Sequence, residues 1–376
     1  RRPEAAFDSR RVAGWARDTW RSLVAMTDAR TGLPADGITA SLAAADRSRY
    51  TSPTNIGGYL WSALAARQLR IIGEAELVRR CRQTLAPLLK LDHHRPSGMF
   101  YNWYDPATGK VVTTWPSVDN GWLGAALWVV RNAVPEARDL ADRLFSRMRW
   151  DMFYDADTAH QGVRPGGLIH GGFYDGETPP GFSGYSGNHI GVGPDVWYTN
   201  HHYDTTVSET RITSYLGIFT GQIPAKQYFA MWRTFPASCD WDWQESQPVG
   251  TTRTYLGLDV FEGAYRYRGM RIVPGWGGSM FEELMPDVFV PEARWAPRSW
   301  GLNHPLHVRA QREHGLVEAR YGIWGFSPSS NPDGGYREYG VDALGLNPDG
   351  YFSDVEKTNY DPGFGSCRAA TNPKPH

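Results

Sequence analysis

Two adjacent carboxylates, Glu282 and Glu283, sit in the stretch Pro274-Gly-Trp-Gly-Gly-Ser-Met-Phe-Glu-Glu-Leu-Met-Pro286. Glycines let a backbone approach a ligand closely or take positive φ. A carboxylate held among Phe281, Leu284 and Met285 has its charged form disfavoured, so it keeps its proton to higher pH. A protonated carboxylic acid beside an aromatic, glycine-lined approach is what sugar cleavage needs as a general acid. The alternative is a helix start with one surface and one structural glutamate.

Glycoside cleavage also needs a second group, to activate water or attack carbon. Asp204 and Glu209, in Tyr203-Asp-Thr-Thr-Val-Ser-Glu-Thr-Arg211, are the candidates, and both are placed at the start of one helix. Asp204 reads equally well as an N-cap, a common role for Asp before a helix. Asp354 and Glu356 are further candidates. Arg211 is positioned to pair with a carboxylate or to hold a sugar hydroxyl.

Around these groups the chain is rich in aromatic residues: 16 Trp, 19 Tyr and 15 Phe among 376 residues, with 41 Gly. They cluster with amides and carboxylates in Phe100-Tyr-Asn-Trp-Tyr-Asp105 and Asp195-Val-Trp-Tyr-Thr-Asn-His-His-Tyr-Asp204. Aromatic faces beside polar groups suit sugar rings, which are apolar on their faces and polar at their edges. The candidate sugar contacts are Tyr101, Trp103, Tyr104, Asp105, Asp119, Trp122, Trp197, His201, His202, Tyr203, Arg211, Trp276, Glu283, Trp324 and Tyr339. Core packing is the alternative for the aromatics and turn formation for Asp105 and Asp119.

Several function classes are disfavoured. The net charge is −1, with no basic surplus for nucleic acid. No apolar run reaches the length of a membrane span. His93-His94 and His201-His202 lack the Cys or H-E-x-x-H context of a metal site, and no phosphate-binding loop is present, so neither metal nor cofactor is expected. Cys81, Cys239 and Cys367 show no zinc spacing, and one pair could bridge in an oxidising compartment.

The elements that must position this chemistry are mostly helices in pairs. Apolar spacing predicts helices over Asp8–Met26, from a Ser52 or Thr54 cap to Leu69, and over Glu74–Leu91. Others are expected over Gly121–Asn132, Glu136–Met148, Asp204–Phe219, Pro224–Phe235, Ser279–Val288 and His304–Gly315. Only Val111-Val112 and Ile272-Val273 suggest strands. Serial amphipathic pairs with long loops between them point to an all-α (α/α)6 toroid formed by one domain, residues 1–376. About nine helices are read, so closing helices are expected beyond the C-terminal coil.

In a set of ordered segments the chain resembles the glycoamylase-like catalytic domain of cyclic β-1,2-glucan synthases and related bacterial endo-β-1,2-glucanases. The segments are Thr51-Ser-Pro-Thr-Asn-Ile-Gly57, Ser97-Gly-Met-Phe-Tyr-Asn-Trp-Tyr-Asp105, Ser117-Val-Asp-Asn-Gly121, Tyr203–Arg211, Ser279–Pro286, Tyr321-Gly-Ile-Trp-Gly-Phe-Ser327 and Tyr339-Gly-Val-Asp-Ala-Leu-Gly-Leu346. The resemblance implies a toroid acting on β-1,2-linked glucose chains, with Glu282 as general acid. It also implies hydrolysis by inversion, the proton passing through a substrate hydroxyl to a remote base. Two departures stand out. Glu283 occupies a position where many relatives have Tyr, and Pro328 replaces a Glu. The expected partner is an oligo- or polysaccharide and the expected state a monomer. Arg1–Phe7 does not read as a signal peptide, but a polymeric substrate of this kind implies a secreted or periplasmic enzyme.

Overall fold

The computed structural model describes residues 9–239, 246–330, 335–346 and 367. Asp354 and Glu356 lie outside them. Contacts group the chain into two compact units: residues 1–154, 170–201 and 215–223, and residues 155–169, 202–214 and 224–376.

The first unit is built on helices α1 (Ser9–Met26), α2 (Pro53–Gln68), α3 (Glu74–Leu88), α4 (Asn120–Ala133) and α5 (Arg138–Phe145). Ser52 caps α2 in a reciprocal box with Asn55, and Pro53 occupies the first turn, where its missing N–H costs nothing. Gly57 lets α2 pack closely on α4. A Cβ there would lie 2.7 Å from the Trp122 carbonyl oxygen. Leu60, Ala63, Leu85, Leu123, Leu127 and Trp150 are fully buried in the core. Asn120, at the start of α4, accepts from the Phe100 N–H and donates to its carbonyl, fixing the aromatic loop before it. The loops form short antiparallel pairs, Trp103–Tyr104 with Val111–Thr113 and Phe173–Tyr174 with Val196–Thr199, which in turn pairs with Gly184–Gly187.

The second unit carries the main departure from an all-α expectation. Val249–Tyr255, Leu258–Tyr267 and Met270–Ile272 form a three-stranded antiparallel sheet. Its two connections are two-residue turns, Leu256-Gly257 and Arg268-Gly269, with all four residues at positive φ. That is the geometry that matches the twist of a hairpin. Tyr267, Met270 and Ile272 pack on Ala310, Val341, Ala343 and Leu344. Its helices are α7 (Lys226–Ala230), α8 (Met280–Leu284), α9 (Glu292–Trp295) and α10 (Trp300–Glu313). Helix α6 (Arg211–Phe219) begins at Arg211 rather than Asp204. The residues before it bond elsewhere: the Asp204 carbonyl accepts from Trp232 N–H and the Thr206 N–H donates to the Trp232 carbonyl. Asp204 therefore does not cap α6.

Cys239 and Cys367 form a disulfide across 128 residues of chain, and Cys81 is free and buried. Burial pushes the Cys81 thiol up to about 12. Among the described residues no helix is long and apolar enough to cross a membrane.

Candidate active site

Glu282 lies in the first turn of α8, where unpaired backbone N–H groups await partners. Ser279 caps that turn: its hydroxyl accepts from the Glu282 N–H at 3.2 Å and donates to Glu282 Oε2 at 3.0 Å. The Gly277 N–H donates to the same oxygen at 3.3 Å. Glu282 as a whole is 4% exposed. Burial and then the neighbouring Glu209 carboxylate raise its pKa to about 8, against the lowering effect of the Ser279 hydrogen bond. A carboxylic acid in this state holds its proton at neutral pH and can donate it.

The glycines before α8 are needed for space. A Cβ on Gly275 would sit 2.8 Å from Glu282 Oε2 and 3.3 Å from Val207 Cγ1. Gly275 and Gly278 are also locked to the segment 341–346 by backbone hydrogen bonds to Leu344, Leu346 and Val341. Residues 326–327 hold the other side: the Phe326 carbonyl accepts from Met280 N–H, and the Ser327 hydroxyl accepts from Phe281 N–H. Gln311 ties both sides together, donating to the Gly278 carbonyl and accepting from Phe326 N–H. Thus three segments that carry the sequence resemblance converge on one helix start. Gly275→Ala is expected to displace the acid, lowering kcat by roughly 10–100-fold and costing about 1–3 kcal/mol of stability. Steady-state kinetics beside thermal melting check both.

Glu283 behaves differently from its neighbour. It is fully buried, and its carboxylate takes the Asn303 amide and His304 Nδ1, the latter at 2.6 Å. A sugar-contact role for Glu283 is therefore corrected: its oxygens point into the protein and are occupied. Arg211 is corrected likewise. It is fully buried, with Nε and Nη2 at 2.7 and 2.8 Å from the two oxygens of Glu292. Its guanidinium lies over the Trp300 ring at 4.2 Å. His304 Nε2 is 3.3 Å from Glu292 Oε2, completing a chain Glu283–His304–Glu292–Arg211. Burial disfavours the His304 charge, but its bonds to Glu283 and Glu292 outweigh this and raise its pKa to about 9. Asp287, Glu292 and His304 place possible metal-ligand atoms within 4.8 Å of one another. Both Glu292 oxygens are taken by Arg211, and His304 lies against one of them.

Glu209 stands two residues before Arg211 and acts electrostatically on Glu282. Asp204 is partly buried. Burial pushes its carboxyl up to about 6, against His202 and Arg164, which draw it down. The Asp155 carboxylate accepts from His202 Nε2 at 3.0 Å. Tyr203, Trp276 and Tyr339 are half-buried and Trp324 is exposed, with Trp276 packed against Phe235, Tyr265 and Leu346.

In the first unit the aromatic loop divides by burial. Tyr104 and Trp122 are corrected to core residues: Tyr104 is fully buried, donating to the Asp92 carbonyl, and Trp122 is 3% exposed. Asp105 is a turn residue, accepting from the N–H groups of Ala107 and Thr108. Tyr101 donates to Asp175 at 2.6 Å. Asn102, oriented with its nitrogen 2.9 Å from Asp119 and its oxygen 3.1 Å from the Trp103 indole N–H, links these two candidates. Burial pushes Asp119 up to about 6, against the Thr54 hydroxyl. Trp197, 43% exposed, and His201 keep open faces.

The residues that the sequence did not reveal are Glu292, Asn303 and His304, whose bonds to Arg211 and Glu283 span 20 or more positions. The Gly-Ser run before Glu282 was the visible signal.

A family model described as a protein of unknown function (DUF3131) matches residues 14–163. Over 141 residues the chain is 36% identical to the cyclic β-(1,2)-glucan synthase NdvB of Rhizobium meliloti (strain 1021), a match spanning 35% of this chain and 5% of that protein. Among solved structures it resembles the endo-β-1,2-glucanase of Chitinophaga pinensis in complex with sophorotriose and glucose. The TM-score is 0.57 at 15% identity, over 91% of this chain and 76% of that one. It also resembles the β-1,2-glucanase of Parabacteroides distasonis, with a TM-score of 0.61 at 16% identity over 88% of this chain and 46% of that one. Over 141 residues the chain is thus similar in sequence to a cyclic β-1,2-glucan synthase, and it shares the fold of the endo-β-1,2-glucanases.

Proposed function

We propose that this chain is a glycoside hydrolase that cleaves β-1,2-glucan, or a closely related glucan, internally and with inversion. The observation that carries the reading is Glu282: a buried carboxyl at a capped helix start, holding its proton to about pH 8. In the reaction the Glu282 proton passes to the glycosidic oxygen as its bond to the anomeric carbon breaks. Water adds to that carbon from the opposite face, and its surplus proton leaves to a carboxylate base. Glu209 and Asp204 are the candidates for that base. In the second unit Tyr203, Trp276 and Trp324 keep accessible aromatic faces on which sugar rings can stack. The reading takes residues 1–376 as one catalytic domain of the toroid class, acting as a monomer. The Cys239–Cys367 bridge supports action outside the cytoplasm, which cell fractionation of the source organism checks.

Incubation with linear β-1,2-glucan is expected to give a series of short oligosaccharides. Unchanged polymer would remove the hydrolase reading, and retained binding without cleavage would leave a glycan-binding protein. The sequence relation to a synthase favours a second reading, a retaining transglycosylase. NMR of the first-formed anomer separates the two. The kcat profile is expected to fall as pH rises through about 8, where Glu282 loses its proton. An alkaline limb in the ordinary carboxylate range would contradict the assignment of Glu282 as acid.

A further inference from the structure

Arg211 uses all five N–H donors of its guanidinium. Two go to Glu292, as described. Nη1 donates to the carbonyls of Ser208 at 3.0 Å and Glu282 at 2.6 Å, and Nη2 to the carbonyl of Glu283 at 2.5 Å. Three of the five bonds therefore end on the backbone of the two segments that carry the candidate acid and base. Ser208 is the residue immediately before Glu209.

We propose that Arg211 is a positioning residue: it fixes the separation of Glu209 and Glu282 by holding the backbone of both segments in the plane of one guanidinium. The proposal rests on the reading of Glu282 as general acid and names what sets its geometry. The fork is rigid and planar, so the two carbonyls it binds through Nη1 cannot move apart without losing a bond. Glu292 holds the opposite edge of the fork, and Trp300 covers one face. Glu292 is in turn held by His304, and its N–H donates to Asp287 at 2.9 Å. The Glu209 charge helps keep Glu282 protonated only while the two stay close, so a site that uses their proximity needs a device that resists separation. Arg211 does so without presenting its charge to the substrate.

The charged and titratable groups on this device are Glu209, which acts on Glu282, and around Arg211 Glu283, Asp287, Glu292, His304, His307, Tyr228 and Arg233. His307 is fully buried, and burial draws its pKa down, so it stays neutral. Loosening the clamp lets Glu209 recede and water enter. Both changes favour ionised Glu282.

Arg211→Lys keeps the charge opposite Glu292 but loses the planar fork. It is expected to lower kcat by about 10–100-fold with KM within about threefold of wild type, a split that marks lost alignment rather than lost binding. The alkaline limb of its kcat profile is expected to move to lower pH. A purely structural role would instead lower the melting temperature and leave the kcat of the folded protein and its pH limb unchanged, and that result overturns the proposal. Should Arg211→Lys fail to fold, Glu292→Gln, which keeps the shape of the carboxylate but weakens its hold on the fork, is read by the same two criteria. Glu282→Gln is assayed in parallel. If it cleaves normally, the general-acid reading falls and the positioning role with it. If it is inactive while Arg211→Lys behaves as wild type, the positioning role alone falls.

Discussion

Glu282→Gln is expected to lower the proposed cleavage of β-1,2-glucan by about 10²–10⁴-fold, the usual contribution of a positioned general acid, while the protein stays folded. The amide is nearly isosteric and its oxygen can still accept from Ser279 and Gly277, so the α8 cap survives. What it lacks is a proton to give the leaving oxygen. Release of reducing ends from linear glucan reads the rate, and circular dichroism reads the fold. Because burial and Glu209 both disfavour the charged carboxylate, the glutamine variant should also gain stability relative to wild type at alkaline pH. Cleavage at the wild-type rate would show that another group supplies the proton.

Glu292→Ala is expected to cost about 3–5 kcal/mol, the usual effect of stranding a buried charge. Arg211 would lose both bonds along one edge of its guanidinium while still fully buried, and His304 would lose one of its two carboxylates. Urea unfolding at neutral pH measures the loss. The same network predicts a pH dependence. His304 has a folded pKa of about 9, above its ordinary value of 6.5. It therefore binds its proton more tightly folded than unfolded. Its contribution is fully present below about pH 6.5 and is lost as pH rises through about 9. Wild type should weaken over that window, and Glu292→Ala should weaken less, since part of what raises His304 has gone. Equal slopes for the two proteins would mean that His304 is not held as described.

The helices were legible where their ends carry local chemistry. Ser52-Pro53 with Asn55 marks the start of α2, and the spacing of Leu77, Cys81, Leu85 and Leu88 marks the buried face of α3. Helix α6 was placed too early because Asp204 looks like a cap, whereas the chain before Arg211 is held by bonds to Trp232, distant in sequence. Of the three-stranded sheet only the last strand was legible, from Ile272-Val273, and the other two were missed for a definite reason. Two-residue hairpin turns usually announce themselves by Asn-Gly or Asp-Gly, which take positive φ readily. Here Leu256 and Arg268 take that conformation instead, and the turn signal is reduced to a single glycine. In the site, Glu282 was legible because its cap and glycines are neighbours in sequence. The role of Glu283 was not, since Asn303 and His304, which claim it, are on another helix. The sequence likewise marked Arg211 as a carboxylate partner without indicating that Glu292, 81 positions away, is the carboxylate.

The three cysteines differ in a way that is useful at the bench. The Cys81 thiol is buried and stays protonated to about pH 12, so it presents almost no thiolate to an electrophile. After mild reduction a maleimide dye should attach at Cys239, which is partly exposed, and spare the fully buried Cys81. The wild-type chain thus offers a handle for a fluorescent or spin label at Cys239 without any engineered cysteine.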